Sequence, residues 1–369
     1  MKRMLETMML LIAMALGVSS AMAEPITVTD LLGRQVTLEK PAKRIVLSQG
    51  RHLQALALLH PDPVSLIAGW KEDYKLDSAS YAAWTQKYPA IEQIPSVGAA
   101  TDLSFSVEKA ISLEPDLVVF SLFTREATSA GMLQGITSSF EKAGIPVVFV
   151  DFFVKPMQNT LPSMDILGKL IGREEQAAAF SEFYSARLRH ITERIGQETK
   201  RPKVFMQVHA APGDCCNSPG RGIFDDFIVA AGGHNIGADI IPGLAGRVSV
   251  EHIINVDPDI YLATGGPHMA ALRGLVLGTG VDEEAARESL DRLVNSSPIS
   301  NLSAIANHRA YGVWHLFNDS PTHILLIEAM ARWFHPDLFA DVDPDATLRE
   351  LNSRFLALPL QGTYWITPQ

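Results

Sequence analysis

Residues 173–196 read REEQAAAFSEFYSARLRHITERIG, and this stretch decides the fold. Its apolar residues recur every three or four positions, which predicts a helix with one apolar face. They are Phe180, Tyr184, Leu188, Ile191 and Ile195. About 23 residues at 1.5 Å each give a rod of roughly 35 Å. We interpret this helix as a rigid link between two lobes, although periodicity alone also allows an ordinary crossover helix.

Segments of similar character lie on both sides of this helix. Short apolar runs, typical of buried strands, alternate with helical patterns over residues 44–48, 64–68, 116–121 and 147–151, and again over 203–208, 259–263 and 311–317. Such alternation predicts parallel sheets covered by helices. The sequence therefore predicts an α/β fold of two Rossmann-like lobes joined by one long helix. The predicted divisions are an N-terminal lobe (24–160), a linking helix (161–200) and a C-terminal lobe (201–369).

The first 23 residues have the features of a secretory signal. Lys2 and Arg3 precede an apolar run over residues 8–18, and Ala21 and Ala23 are the small residues that a signal peptidase reads. We expect cleavage after Ala23. No later stretch approaches the roughly 18 apolar residues of a spanning helix, and no cysteine near the cleavage point offers a lipid attachment. The sequence predicts a soluble periplasmic protein.

Charge excludes one class of partner. The chain of 369 residues has a formal net charge of -10 and no basic run or stripe. A nucleic-acid-binding protein needs such a stripe, so we expect no nucleic-acid partner. An anionic ligand would have to meet a local basic pocket.

Each lobe contains one copy of an internal repeat. Residues 106–119 read SVEKAISLEPDLVV and residues 249–262 read SVEHIINVDPDIYL, with six of fourteen positions identical. Each copy predicts a helix that a serine opens and Pro-Asp ends, followed directly by a strand. Taken singly, such a serine and glutamate are simply a favourable helix start.

Together these motifs resemble a known family. The hairpin VTDLLGRQVTLEKPAKRIV (residues 28–46), the two repeats, AAGGHNIGAD (230–239) and Thr264-Gly265-Gly266-Pro267 are similar to the helix-linked (class III) periplasmic substrate-binding proteins of ABC importers. Members capture ferric siderophores, haem or vitamin B12. The resemblance implies a monomer that is not an enzyme and that delivers its ligand to an inner-membrane permease. It also implies that Glu108 and Glu251 dock on that permease.

The loops that leave the strand ends predict the ligand-binding residues. Aromatic rings stack on flat chelators, and arginines offer forked donors to carboxylate or catecholate oxygens. In the first lobe these residues are Arg51, His52, Trp70, Phe123, Arg125 and Phe153. In the second they are His209, Arg221, Arg247, His268, Trp314, His315 and Phe317.

The expected ligand is a ferric siderophore, bound as the intact iron complex. The ending, residues 335–341 and 348–355, is similar to the iron-chelate branch of the family, and four arginines would attract an anionic chelate. The iron would come with its chelator, so we expect no resident cofactor or metal. The three histidines at separate strand ends lack any His-x-His or HExxH spacing. A minor alternative is that one of these histidines completes an under-coordinated ferric centre. Haem and cobalamin are alternative ligands.

Two further questions stay open at this point. A periplasmic hydrolase or a ligand sensor could share the fold, although no G-x-S-x-G elbow, P-loop or dinucleotide motif is present. Cys215 and Cys216 are adjacent, with Cα atoms about 3.8 Å apart in a trans peptide, below the usual span of a disulfide. The pair could be oxidised or reduced.

Overall fold

Two five-stranded sheets, one on each side of the long helix, dominate the structure. The computed structural model describes residues 24–100, 104–196, 200–213, 215–296 and 298–368. The predicted signal peptide lies outside these residues. Within the described ranges, no helix is both long and apolar enough to cross a membrane.

The N-terminal sheet is entirely parallel, as the sequence predicts. Its strands run in the order Ser96–Gly98, Ile67–Lys71, Ile45–Leu47, Leu117–Ser121 and Val147–Val150. The α-helices of this lobe are Leu53–Leu59, Ser78–Lys87, Val107–Ser112, Leu122–Ala127, Ala130–Lys142 and Pro156–Leu170, and its 3-10 turns are Gly50–His52, Val64–Leu66, Glu72–Leu76 and Pro89–Gln93. The hairpin pairs Ile26–Thr29 with Gln35–Leu38. The first strand in sequence is central, so its carboxyl end lies where the strand order reverses, the usual ligand position of such sheets.

The C-terminal sheet has the order His234–Asn235, Lys203–Gln207, Ile260–Gly265, Ala310–Trp314 and Trp365–Ile366, with only the last strand antiparallel. Two short antiparallel pairs accompany it: Asn217–Pro219 with Ala245–Arg247, and Gly278–Thr279 with Gly362–Thr363. The α-helices are Phe224–Ala230, Val250–Val256, Glu283–Ser296, Ser303–Ala306, Ile324–Phe334 and Pro344–Arg354. The 3-10 turns are Ile236–Asp239, Pro267–Leu272, His315–Asp319 and Pro321–His323.

The long helix spans Glu174–Ile195 and joins the two lobes. Four of the five predicted face residues are buried, whereas Leu188 is half-buried and Phe183 joins the buried face. Tyr184 shares a hydrogen bond of 2.6 Å with His323 in the C-terminal lobe. The beginning of the predicted 161–200 segment instead belongs to a separate helix, Pro156–Leu170, which packs against the long helix. Gly172, which has a φ of 66°, lies between these two helices.

The last residues cross between the lobes, a feature that the sequence analysis did not predict. Ala357 donates its backbone N–H to the Ala57 carbonyl oxygen at 2.9 Å, and its own carbonyl accepts from Lys87 of the N-terminal lobe. The chain then returns to the C-terminal sheet as its edge strand. Close by, Thr279 bonds both Tyr364 and Ser80, which belongs to the other lobe. The lobes are therefore tied by this segment as well as by the long helix.

We expect the ligand-free and loaded forms to differ by only a few degrees of lobe rotation. A packed helix bends far less readily than extended hinge strands, and the terminal segment adds a second tie. Small-angle scattering should give nearly the same radius of gyration in both states. A marked compaction on loading would contradict the rigid link.

Candidate functional site

A cavity of about 310 Å³ lies between the lobes, at the carboxyl ends of both sheets. Arg51 follows the central strand of the N-terminal sheet, and His209 follows the first strand of the C-terminal sheet. The lining residues are Arg51, Asp73, Tyr74, Leu76 and Asp77 from one lobe, and His209, Gly265, Gly266, Pro267, His268, Trp314, His315 and Leu316 from the other. The wall is mostly apolar, with a few convergent polar groups, as small-ligand sites usually are.

Arg51 bridges the lobes through two carboxylates. Its guanidinium donates to Asp319 of the C-terminal lobe at 3.2 Å, and its Nε lies 4.0 Å from Asp73 of the N-terminal lobe. Burial raises the pKa of Asp319 to about 6 despite the arginine, and burial also raises the pKa of Asp73. A Cβ at Gly50 would lie 2.4 Å from the Lys71 carbonyl oxygen, so glycine is required where these strand ends meet. Arg51 is thus already paired with protein carboxylates.

Three histidines from separate strand ends meet on the C-terminal wall. His268 Nε2 and His209 Nδ1 are 3.2 Å apart, and the rings of His209 and His315 are 3.7 Å apart between centroids. His315 is held by Thr264 Oγ1 at 2.9 Å and by Asn318 at 3.3 Å. Burial is the main cause that lowers the pKa of all three histidines, most strongly that of His315. These imidazoles are therefore neutral near pH 7.

Five of the thirteen predicted ligand-binding residues line this cavity, namely Arg51, His209, His268, Trp314 and His315. Their contact with a ligand stays a prediction. The rule that ligands bind at strand carboxyl ends places them together, because each follows or ends a parallel strand.

Three predicted residues are core residues instead, which corrects their assignment. His52 is 2% exposed and packs edge-on against Phe152, and Trp70 and Phe317 are 0% exposed. His52 and Phe317 lie in the 3-10 turns after their strands, which rotate them inward. Trp70 lies inside a strand that ends at Lys71, three residues later than the sequence analysis placed its end.

Of the four arginines that the sequence predicts to converge, Arg51 lines this cavity, and contact of the other three with a ligand stays a prediction. Arg125, Arg221 and Arg247 are exposed. Arg125 lies on the helix Leu122–Ala127, and Arg247 is turned by its hairpin strand toward the Cys215 carbonyl, to which it donates.

Two predicted aromatic residues pair with each other outside the cavity lining. Phe123 and Phe153 follow neighbouring strands of the N-terminal sheet, and their rings meet edge-to-face at 5.5 Å. Both are half-buried. They remain candidates only for a ligand that extends beyond the cavity.

The acidic part of the site was not predicted from the sequence. Asp73, Tyr74 and Asp77 follow the strand that ends at Lys71, so applying the strand-end rule with the correct boundary would have found them. Asp319 is the last residue of a 3-10 turn, and no sequence signal marks its contact with Arg51.

Cys215 and Cys216 form a disulfide, with a cis peptide bond between them. Cys216 is buried and Cys215 is half-buried. Neither is among the cavity-lining residues.

Glu108 and Glu251 are both exposed, each in the first turn of its helix. The predicted serine caps are confirmed: Ser106 Oγ accepts from the Lys109 N–H at 3.2 Å, and Ser249 Oγ accepts from the His252 N–H at 3.1 Å. In a parallel sheet, a helix that leads into a strand begins at the edge where the strands end. Both glutamates are therefore placed toward the cleft-side edges of their sheets.

The geometry defines a two-lobed protein that holds a small ligand between sheet ends. A family model described as periplasmic binding protein matches residues 56–313, and the chain belongs to this family. The TroA-like periplasmic binding protein FepB from Veillonella parvula has the same fold, with a TM-score of 0.84 and 27% identity over 94% of this chain and 100% of that chain. The class III fold predicted from sequence is confirmed.

Two curated relatives are more distant in sequence. An uncharacterized ABC transporter substrate-binding lipoprotein of Bacillus subtilis, YvrC, is 22% identical over 86% of this chain and 88% of its own length. A cobalamin-binding protein of Halobacterium salinarum is 24% identical over 84% of this chain and 74% of its own length. The protein is thus a substrate-binding protein of the ABC-transporter type, a class that carries ligands to a permease.

Proposed function

We propose that this protein captures a compact ferric siderophore of low net charge in the periplasm and delivers it to an inner-membrane ABC permease. The observation that carries the proposal is the composition of the inter-lobe cavity. Its charged lining consists of one arginine and two aspartates, with three neutral histidines beside them. A strongly anionic tricatecholate would face carboxylates at close range, whereas a hydroxamate complex of near-zero charge would not.

The size of the cavity supports a compact cargo. About 310 Å³ is at the small end of the range for ligand pockets, and the double tie between the lobes limits how far it can widen. Trp314 and Leu316 give the apolar contact that a chelator backbone needs.

Cobalamin is the second candidate because the Halobacterium relative is a cobalamin-binding protein. Haem is a third, since it is also carried by proteins of this fold. Cobalamin is large relative to a cavity of about 310 Å³, and the carboxylates of haem would face the same aspartates as a tricatecholate, so a compact iron chelate of low charge is favoured over both.

Titration of tryptophan fluorescence tests the proposal. Purified protein should show saturable quenching by a ferric hydroxamate, weaker quenching by a trianionic ferric tricatecholate, and little by haem or cobalamin. Trp314→Phe should lose most of the signal because Trp314 lines the cavity, whereas Trp333→Phe, packed on Tyr311, should keep it. Tight quenching by haem or cobalamin, with none from any ferric chelate, would overturn the cargo and leave the transport role standing.

A further inference from the structure

We propose that Asp77 selects cargo that carries a protonated amine, which the Asp77 carboxylate binds as an ion pair inside the inter-lobe cavity. The substrate class is chelates whose chelator bears a free ammonium group, such as a hydroxamate with a terminal amine. This inference rests on the proposed function, in that the cargo is a metal chelate of low net charge. Asp77 lines the cavity and is only 7% exposed.

The charges of the cavity do not balance without a ligand. Arg51 supplies the positive charge among the lining residues, but its guanidinium contacts the carboxylates of Asp73 and Asp319. Within the part of the chain that the structure describes, neither a lysine nor an arginine forms an ion pair with Asp77. A carboxylate that is largely removed from water is unfavourable without a cationic partner. Asp77 is therefore the carboxylate that the protein leaves for a ligand.

The histidine near Asp77 does not supply the missing positive charge. The negative charge of Asp77 raises the pKa of His268, but burial lowers that pKa by more, so the imidazole is neutral near pH 7. His209 and His315 are neutral for the same reason, because burial is the largest cause of their lowered pKa values. The cation that pairs with Asp77 must therefore arrive with the cargo.

Asp77 also caps a helix, and this role alone does not explain its charge. It is the N-cap of the helix Ser78–Lys87, and its Oδ1 accepts from the Ser80 N–H at 3.3 Å. An N-cap needs an oxygen acceptor and not a charge, because serine and asparagine cap helices about as well as aspartate. Ser106 and Ser249 do so in this chain. Capping therefore does not require a charged group inside the cavity.

A hydrogen-bonded chain holds the carboxylate from its protein side. Asp77 Oδ2 is 2.7 Å from Ser80 Oγ, which is 2.7 Å from Thr279 Oγ1, and Thr279 Oγ1 is 2.9 Å from the Tyr364 hydroxyl. Because an ionised carboxylate only accepts, each hydroxyl must donate toward Asp77, from Tyr364 through Thr279 and Ser80. Each carboxylate oxygen can accept a further hydrogen bond, and these positions remain for the ligand.

The wall beside Asp77 suits the arm of an amine. Leu76 also lines the cavity and is 47% exposed, an unusual exposure for a leucine in a site between two lobes. The methylene groups of an alkylamine can pack on this side chain while the ammonium reaches the carboxylate. An ammonium donates up to three hydrogen bonds, and a charge-assisted bond is about twice as strong as a neutral one. A neutral group at the same position would leave Asp77 unpaired.

Two ferric complexes that differ in one charge test the inference. Desferrioxamine B is a trihydroxamate with a terminal ammonium, and its N-acetyl derivative keeps the same iron centre but has a neutral amide there. By calorimetry on the purified mature protein, we expect wild type to bind the ammonium form at least about tenfold more tightly. Asp77→Asn should bind that form about tenfold more weakly and should distinguish the two complexes by less than about twofold.

The variants are matched so that a loss of folding does not imitate the expected result. Asparagine keeps the helix cap, so the urea midpoint of Asp77→Asn should stay near that of wild type. Asp343→Asn is the matched control. Asp343 also caps a helix, through the Asp345 and Ala346 N–H groups, but it is exposed and outside the cavity lining. This control should keep the full preference for the ammonium form.

Wild-type protein that binds both complexes equally would overturn the role of Asp77 and leave the hydroxamate cargo standing. The same conclusion would follow if Asp77→Asn kept the wild-type preference. If neither complex binds wild-type protein, the hydroxamate cargo is itself wrong and the inference fails with it.

Discussion

Reversing Glu108 and Glu251 to lysine together should abolish cargo uptake in cells and leave cargo binding by the purified protein unchanged. Both glutamates are exposed, and the repeat gives each lobe one copy in the first turn of a serine-capped helix. Neither lines the cavity. Two charge reversals turn attraction to permease arginines into repulsion, and like charges brought together at an interface cost several kcal/mol.

The comparison should be made in the native host lacking its own copy of the gene, with radiolabelled iron chelate as the readout. Glu141→Lys/Glu284→Lys is the matched control, since these glutamates are also exposed, one in each lobe, and lie on other helices. Uptake that survives the Glu108/Glu251 reversal at the control level would show that docking uses another surface.

Replacing Arg51 with alanine should lower the free energy of unfolding by about 2 kcal/mol at pH 8, since it leaves Asp73 and Asp319 without their shared cation. The loss should shrink as the pH falls toward 5. The pKa of Asp319 in the folded protein is about 6, above its ordinary value near 3.8, so ionised Asp319 destabilises the fold at high pH and this cost disappears as the group is protonated. Without Arg51, which lowers that pKa, protonation begins at still higher pH.

Urea unfolding at pH 8 and pH 5 measures both parts of this expectation. Arg51→Ala/Asp319→Asn should recover part of the stability at pH 8, because it removes one unpaired buried charge. A loss that is equal at both pH values would mean that Arg51 stabilises by packing and not by pairing with the two aspartates.

The lobes and the long helix could be predicted because their signals are local. The 3.6-residue period of 173–196 and the strand-sized apolar runs depend only on neighbouring residues. Where prediction failed, a small boundary error had large consequences. Placing the end of one strand at residue 68 and not at Lys71 turned the core residue Trp70 into a predicted ligand contact and hid Asp73.

The charge of the site was beyond sequence reasoning for a different reason. Arg51 and Asp319 are 268 positions apart and meet only because the lobes face each other. Counting arginines at strand ends predicted a basic pocket, whereas side-chain direction decides which of them reach it. Arg247, for example, is directed to a backbone carbonyl by its hairpin. The terminal segment likewise ties the lobes only through distant contacts, with Ala57 and Lys87, which no local sequence pattern marks.

The central claim is that an iron chelate sits in the inter-lobe cavity, between Arg51 of the N-terminal lobe and the wall that the C-terminal lobe supplies. The most direct measurement is a crystal structure of the protein purified with its ligand from the native host, with anomalous data collected on both sides of the iron edge. We predict one anomalous peak in the inter-lobe cavity, surrounded by chelator density. A ligand in that cavity without iron, or iron bound elsewhere on the protein, would contradict the claim.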